Sequence, residues 1–504
     1  MNDERIKNSR SPETVGKIGW IFIGLILFVI VVLIPFSGLS SKGRIVLATA
    51  ALMACWWMTE ALPIPATSLI PLVAFPLMGV LNAKEAAVPY GNQNVFLFIG
   101  GFFMARAMER HRLHRRIALS IMILLGTAPR RVILGFMLAT AFLSMWISNT
   151  ATTMIMVPIA IAVMVNMDKK GTPFATALFL GIAYSASIGG VGTLVGTPPN
   201  IVFSGQMQSI FPNGPQITFA GWLPVGLSLI IVFLPLAWVY LTFFAFKMEK
   251  KTSLSPELLR SELAAMGRMS YGEKVVFIVF IAMALGWIFR TDLKLGFVTI
   301  PGWSDLLGIE KYVQDSTVAI IGAIVLFAFP LKGGGRVLEW REAVKIPWGI
   351  VLLFGGGFAL AVAFGSSGLS LWIGNLLADL GGLPPIVLVL IIAAVMTTLT
   401  EFTSNTAVTT LMMPILAGAS GGMGTDPRLL MVPATLAASC AFMLPVATPP
   451  NAIVFGSGQI KIKEMARVGL AMNLMSAIIV TAITYLVAVH VFGITPGELP
   501  LWAK

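Results

Sequence analysis

One polar pattern occurs twice in this otherwise apolar chain, and it restricts the possible folds more than any other feature. Ser148-Asn149-Thr150 opens the string SNTATTMIMVPI, and Ser404-Asn405-Thr406 opens SNTAVTTLMMPI. Each is followed by the same second string, Thr197-Pro198-Pro199-Asn200 in one half and Thr448-Pro449-Pro450-Asn451 in the other. Proline removes a backbone donor and clashes with the preceding helical turn, so each Thr-Pro-Pro-Asn marks a broken helix. Two helix-breaking polar elements, repeated in order, describe a site built twice and facing itself at a repeat interface, the pattern of secondary transporters.

Only 11% of the 504 residues are charged and 57% are hydrophobic, with a mean hydropathy of +0.89. A soluble chain carries about 25% charged residues, so the deficit implies burial in a bilayer. Apolar runs at 19–37, 64–81, 223–246, 274–289, 317–331 and 468–493 approach or exceed the roughly 18 residues that mark a membrane-spanning helix. The reading is an all-α polytopic membrane protein with about 11 transmembrane helices. The polar first 18 residues lead into a full-length span with no small-residue cleavage site, an uncleaved first helix.

The net charge of +12 does not call for a nucleic-acid partner. With a cytoplasmic N-terminus and alternating spans, most Lys and Arg fall on the cytoplasmic side; the exceptions are Lys42, Arg44, Lys84, Arg290, Lys294, Lys311, Arg428 and Lys504. That is the positive-inside bias. It places the protein in the cell (inner) membrane, with an external C-terminus. Cys55 and Cys440 sit in apolar surroundings and read as small buried hydrophobes, not a disulfide. The three histidines have no metal-site spacing.

The charge pattern requires two segments to turn back. Residues 131–167 lie between Arg130-Arg131 and Lys169-Lys170, with the first tripeptide in the middle, a re-entrant hairpin from the cytoplasmic side. Residues 384–422 form its counterpart and enter from outside. Such tips survive in a bilayer only where protein or a wet cavity satisfies their backbone. The crossing helices are then expected at 19–37, 43–59, 63–82, 95–110, 174–211, 223–246, 274–290, 314–331, 348–368, 428–459 and 468–493. Phe98-Ile99-Gly100-Gly101-Phe102 matches Phe354-Gly355-Gly356-Gly357-Phe358, and Ala74-Phe75-Pro76 matches Ala328-Phe329-Pro330. Spans 2–6 thus pair with spans 7–11, and an odd number of crossings makes it an inverted repeat. The chain divides into 1–42 (N-terminus and first helix), 43–250 (first repeat), 251–273 (cytoplasmic connector) and 274–504 (second repeat). Arg106 to Arg116, with five arginines, reads as a positive-inside anchor or as an interfacial helix joining a fixed part to a moving part.

Ser148, Asn149, Thr150, Thr197 and Asn200, with Ser404, Asn405, Thr406, Thr448 and Asn451, are hydroxyls and amides. Arg and Lys are absent from 132–168, 171–246 and 346–427. An anion here must be held by neutral donors and helix N-termini, and an accompanying cation would supply the missing positive charge. Glu401 is the one acid beside a tip, and the matching position is Met145; it is read either as functional or as a cap on the hairpin turn. Glu60 reads as structural.

The paired SNT tips, the two Thr-Pro-Pro-Asn breaks, TEALPIPATSLIPL at 59–72 and LTEFTSNTA at 399–407 closely resemble the divalent anion/sodium symporter family. The resemblance runs from residue 44 onward. It implies a homodimer whose hairpins and spans 5, 6, 10 and 11 travel elevator-fashion against a scaffold. It also implies Na⁺-coupled symport of C4-dicarboxylates such as succinate, fumarate and malate, with two or more sodium ions. Carried over by motif, substrate contacts are Ser148, Asn149, Thr150, Thr197, Ser404, Asn405, Thr406 and Thr448. Sodium site 1 is Ser144, Ser148, Asn149 and Gly196; sodium site 2 is Thr400, Thr403, Asn405 and Ala447. Gly196 and Ala447 serve through their carbonyls.

The same fold and cradle also admit Na⁺-independent dicarboxylate exchange, or citrate or sulfate as substrate. An enzyme is not expected: a nucleophilic serine needs a base within reach, and no histidine lies near either hairpin in sequence. ATP-driven transport is not expected either, since no G-x-x-x-x-G-K-[ST] occurs.

Overall fold

The computed structural model describes residues 12–167, 169–248, 256–295 and 298–504. Lys250 and Lys251, expected in a solvated connector, lie outside the described residues. The described chain is almost wholly helical; its one sheet is a two-stranded antiparallel hairpin, Leu293–Leu295 with Val298–Ile300. Seven described helices are long and apolar enough to cross a membrane, among them Phe219–Ala245 and Ile462–Val491.

Both hairpins form where the polar tripeptides dictate. In the first, helix Pro129–Ser144 turns into helix Asn149–Asn166; in the second, Pro385–Thr400 turns into Asn405–Met423. The serine of each tripeptide ends the turn. Ser148 and Ser404 are the N-caps, their hydroxyls accepting from the amides of Ala151 and Ala407, which satisfies donors that a helix start leaves free.

Both long spans are broken. Pro173–Gly190 and Pro198–Ile210 flank an unwound stretch at 191–197, and Pro427–Ala438 and Pro449–Gly456 flank one at 439–448. The prolines do not sit within the unwound backbone. They open the helix that follows it, where a missing N–H costs nothing, with Thr197 and Thr448 as N-caps.

The two halves meet through their shared motif: the rings of Phe98 and Phe354 pack edge-to-face at 5.1 Å. The expected span 63–82 is different. It is divided into Ile64–Thr67 and Ile70–Leu77, with Pro65 and Pro71 in the first turn of each piece and Pro76 inside the second.

The arginine-rich segment ends one helix, Gln93–Arg110, and starts another, Leu113–Leu125, with Arg112 between them in a left-handed conformation. Four of its five guanidiniums are paired. Arg106 meets Glu109 and Glu342, Arg110 meets Glu339, Arg115 meets Glu262, and Arg116 meets Glu273. These arginines therefore tie the segment to the connector and to the loop before Trp348–Ser366, and do not simply face lipid. The hydrogen bond from Arg110 holds the Glu339 carboxyl below its usual range.

A further, buried pair lies on Arg290, whose Nε donates to Asp315 at 2.6 Å; Asp315 also accepts from the amide of Phe219, the first residue of its helix. The cysteines are both free; Cys440 is buried, while Cys55 is only half-buried.

Candidate functional site

The two tips and the two breaks converge on one cavity of about 870 Å³. All eight residues expected to touch substrate line it: Ser148, Asn149, Thr150 and Thr197 from one half, Ser404, Asn405, Thr406 and Thr448 from the other. Gly196, Thr403 and Ala447 line it as well, whereas Ser144 and Thr400 lie fully buried behind the tips. Asn200 and Asn451 are also fully buried and hold the breaks together. Asn200 Nδ2 donates to the carbonyls of Val191 and Thr193, and Asn451 Nδ2 to those of Ala441 and Leu444. Each amide clamps one unwound stretch, so the last residue of Thr-Pro-Pro-Asn is a brace.

Behind each tip the same three oxygens meet. Ser144 Oγ lies 2.6 Å from both Asn149 Oδ1 and the Ala186 carbonyl. Thr400 Oγ1 lies 2.5 Å from Asn405 Oδ1 and 2.8 Å from the Ala438 carbonyl. A hydroxyl has one proton to give, so it can serve only one of its two acceptors. Each cluster is left with a surplus of lone pairs. Neutral hard oxygens in excess suit a metal cation that prefers oxygen. The donor set therefore fits Na⁺, and it adds the Ala186 and Ala438 carbonyls, which side-chain patterns could not disclose.

The tips differ at Glu401. Its carboxylate is buried, and it does not cap its own hairpin turn. It reaches across to the second break instead, Oε1 accepting from the amides of Phe442 (2.6 Å) and Met443 (2.9 Å) and Oε2 from that of Leu444 (3.1 Å). Asn473, from helix Ile462–Ile483, donates to Oε1 at 2.7 Å. In the first half Met145 cannot do this. There Thr193 donates its hydroxyl to the Met145 carbonyl at 2.5 Å and accepts from the Gly196 amide at 3.1 Å. Sequence reading missed Thr193 and Asn473; one lies in the unwound stretch at 191–197 and the other in helix Ile462–Ile483, each a lone polar residue with no pattern to mark it.

Trp57, Glu60, Ile64, Phe98, Phe102, Leu353 and Lys17 are among the other residues that line the cavity. Glu60 has φ of 48° and closes helix Ser41–Thr59. Beyond its structural place it stands on the cavity wall.

Residues 17–492 match the family described as the sodium:sulfate symporter transmembrane region. The sodium-dependent dicarboxylate transporter SdcS of Staphylococcus saprophyticus is 45% identical over 510 residues, covering 98% of this chain and 96% of that one. The protein of the same name from Staphylococcus aureus is 43% identical over 507 residues, covering 98% and 95%. Among solved structures, the YdaH transporter of Alcanivorax borkumensis superposes with a TM-score of 0.55 at 12% identity, over 95% of this chain and 99% of that one; that likeness concerns the fold alone. The doubled tips and breaks, the oxygen clusters behind them and the end-to-end match together identify the chain as a member of the divalent anion/sodium symporter family.

Proposed function

We propose that this protein carries C4-dicarboxylates, succinate, fumarate and malate among them, across the cell membrane by Na⁺-coupled symport. The observation that carries the reading is the pair of three-oxygen clusters, each behind a tip whose Asn also faces the shared cavity. A dianion there meets hydroxyls, amides and the N-terminal ends of the four helices that start at Asn149, Asn405, Pro198 and Pro449. Those ends carry partial positive charge, and the sodium ions supply the rest. The curated relatives named above are sodium-dependent dicarboxylate transporters, which supports the same reading.

In this reading Ser144, Ser148, Asn149 and Gly196 hold one sodium, and Thr400, Thr403, Asn405 and Ala447 another. Residues 43–250 and 274–504 are the inverted repeats, joined by 251–273, with the N-terminus cytoplasmic and the C-terminus external. The cavity wall formed by Lys17, Glu60, Pro347 and Gly349 then belongs to the cytoplasmic side, which makes this an inward-open state. Access alternates by an elevator movement of the two hairpins and broken spans against the remaining helices, within a homodimer.

Uptake of radiolabelled succinate into liposomes carrying the protein tests the reading. It should require an inward Na⁺ gradient and no internal dicarboxylate. Equal uptake in choline medium, dependent on internal dicarboxylate, would decide for exchange instead.

A further inference from the structure

We infer that Glu401 is the positioning residue of the second sodium site, and that this site alone depends on a carboxylate to shape its carbonyl ligands. The inference rests on the proposed Na⁺ coupling and extends it. Glu401 follows Thr400, so it belongs to the tip, yet its oxygens hold three successive amides of the break, those of Phe442, Met443 and Leu444. Successive amides turned towards one anion form a concave nest, and such a nest fixes the direction of the carbonyls between them.

The consequence passes along the backbone. The Leu444 carbonyl accepts from Ala447 N at 3.2 Å and from Asn451 Nδ2 at 3.0 Å. Glu401 thereby holds Leu444 from its amide side, and the carbonyl of that same residue anchors both Ala447, the proposed carbonyl ligand, and the Asn451 brace. Asn473 closes the arrangement, donating to Glu401 and accepting from Phe442 N at 3.2 Å. The first half achieves the same turn with a neutral hydroxyl: Thr193 bridges the Met145 carbonyl and the Gly196 amide. The two ion sites have matching ligands and unlike supports. Removing the support of a metal ligand commonly lowers metal affinity by roughly 10–100-fold.

The test uses Glu401→Gln, which keeps the shape and one acceptor oxygen, and Asn473→Ala, which leaves the carboxylate in place and removes its partner. Radiolabelled Na⁺ binding to purified protein is measured beside succinate uptake over a Na⁺ series. The Gln variant should need about tenfold more Na⁺ for half-maximal binding and uptake, with the succinate KM at saturating Na⁺ within about twofold of the parent. The Ala variant should shift in the same direction by less. An unchanged Na⁺ requirement in both variants would overturn the inference, as would an equal rise in succinate KM, which would mean a generally loosened site. If Glu401→Gln does not fold, the Asn473→Ala shift decides alone. Na⁺-independent uptake and no Na⁺ binding by the parent would overturn the symport reading and this inference together, a result distinct from the others.

Discussion

Ser144→Ala removes the central oxygen of the first cluster without changing backbone preferences much. Ser144 is fully buried, and its hydroxyl is the only donor among three converging oxygens. In sodium-free protein the change leaves a buried carbonyl without its donor, a cost of about 1–3 kcal/mol. Relief of crowded lone pairs offsets part of that cost. In sodium-loaded protein it deletes one ligand, which on the scale of site perturbations lowers affinity about tenfold or more. Thermal unfolding in detergent separates the two effects. Sodium at a hundred times its Kd stabilises by about 2.7 kcal/mol, and a tenfold weaker site at the same concentration by about 1.4 kcal/mol. With two such sites and only this one weakened, the variant should thus lose about a quarter of its total Na⁺-dependent stabilisation, with choline as the control. Its half-maximal Na⁺ for uptake should rise by the same factor. A variant whose stabilisation by Na⁺ equals the parent's would refute the assignment of this cluster as an ion site.

Three further outcomes are expected. Gly196→Ala should abolish uptake while the protein still purifies as the parent does, because a Cβ there would lie 2.4 Å from the Gly190 carbonyl and 3.0 Å from those of Ser144 and Met145; near-normal uptake would remove the first break from the site. Asp315→Asn should lower thermal stability by about 3–5 kcal/mol, since it leaves Arg290 buried without its partner; calorimetry on the purified protein measures it. In a background lacking Cys55 and Cys440, Lys170→Cys and Gly421→Cys should label from opposite faces of the membrane, both positions being exposed; labelling of both from one face would break the inverted-repeat topology.

The sequence discloses the parts of this fold that need unusual residues. A tight turn at membrane depth needs a capping serine, and a resumed helix needs proline at its start, so the tips and breaks stand out in an apolar chain. The outer ends of the hairpin helices fall within about two residues of the expected bounds, 131–167 and 384–422. Long-range partnership is what sequence hides. Nothing local to Glu401 tells that its carboxylate reaches amides some 40 residues on; a functional acid and a cap on the adjacent turn are equal expectations from the sequence. The arginines at 106–116 look like a lipid anchor until Glu262, Glu273, Glu339 and Glu342 arrive from remote segments. The divided helix at 63–82 was hidden for another reason: its prolines fall in a run apolar enough to pass for one span.

Asn149 and Asn405 each belong to two assemblies, the oxygen cluster behind the tip and the wall of the cavity in front of it. Under the proposed symport, a side chain shared in this way makes the two occupants thermodynamically interdependent. Sodium that fixes the orientation of the Asn amide spares the substrate the cost of fixing it, and the reverse holds equally. By linkage, whatever factor sodium contributes to dicarboxylate affinity must return unchanged as the factor by which dicarboxylate tightens sodium. Coupling between ion and substrate then needs no signal carried across the protein. On that proposal it is a property of two amide groups, and it fails in proportion as either one is free to turn.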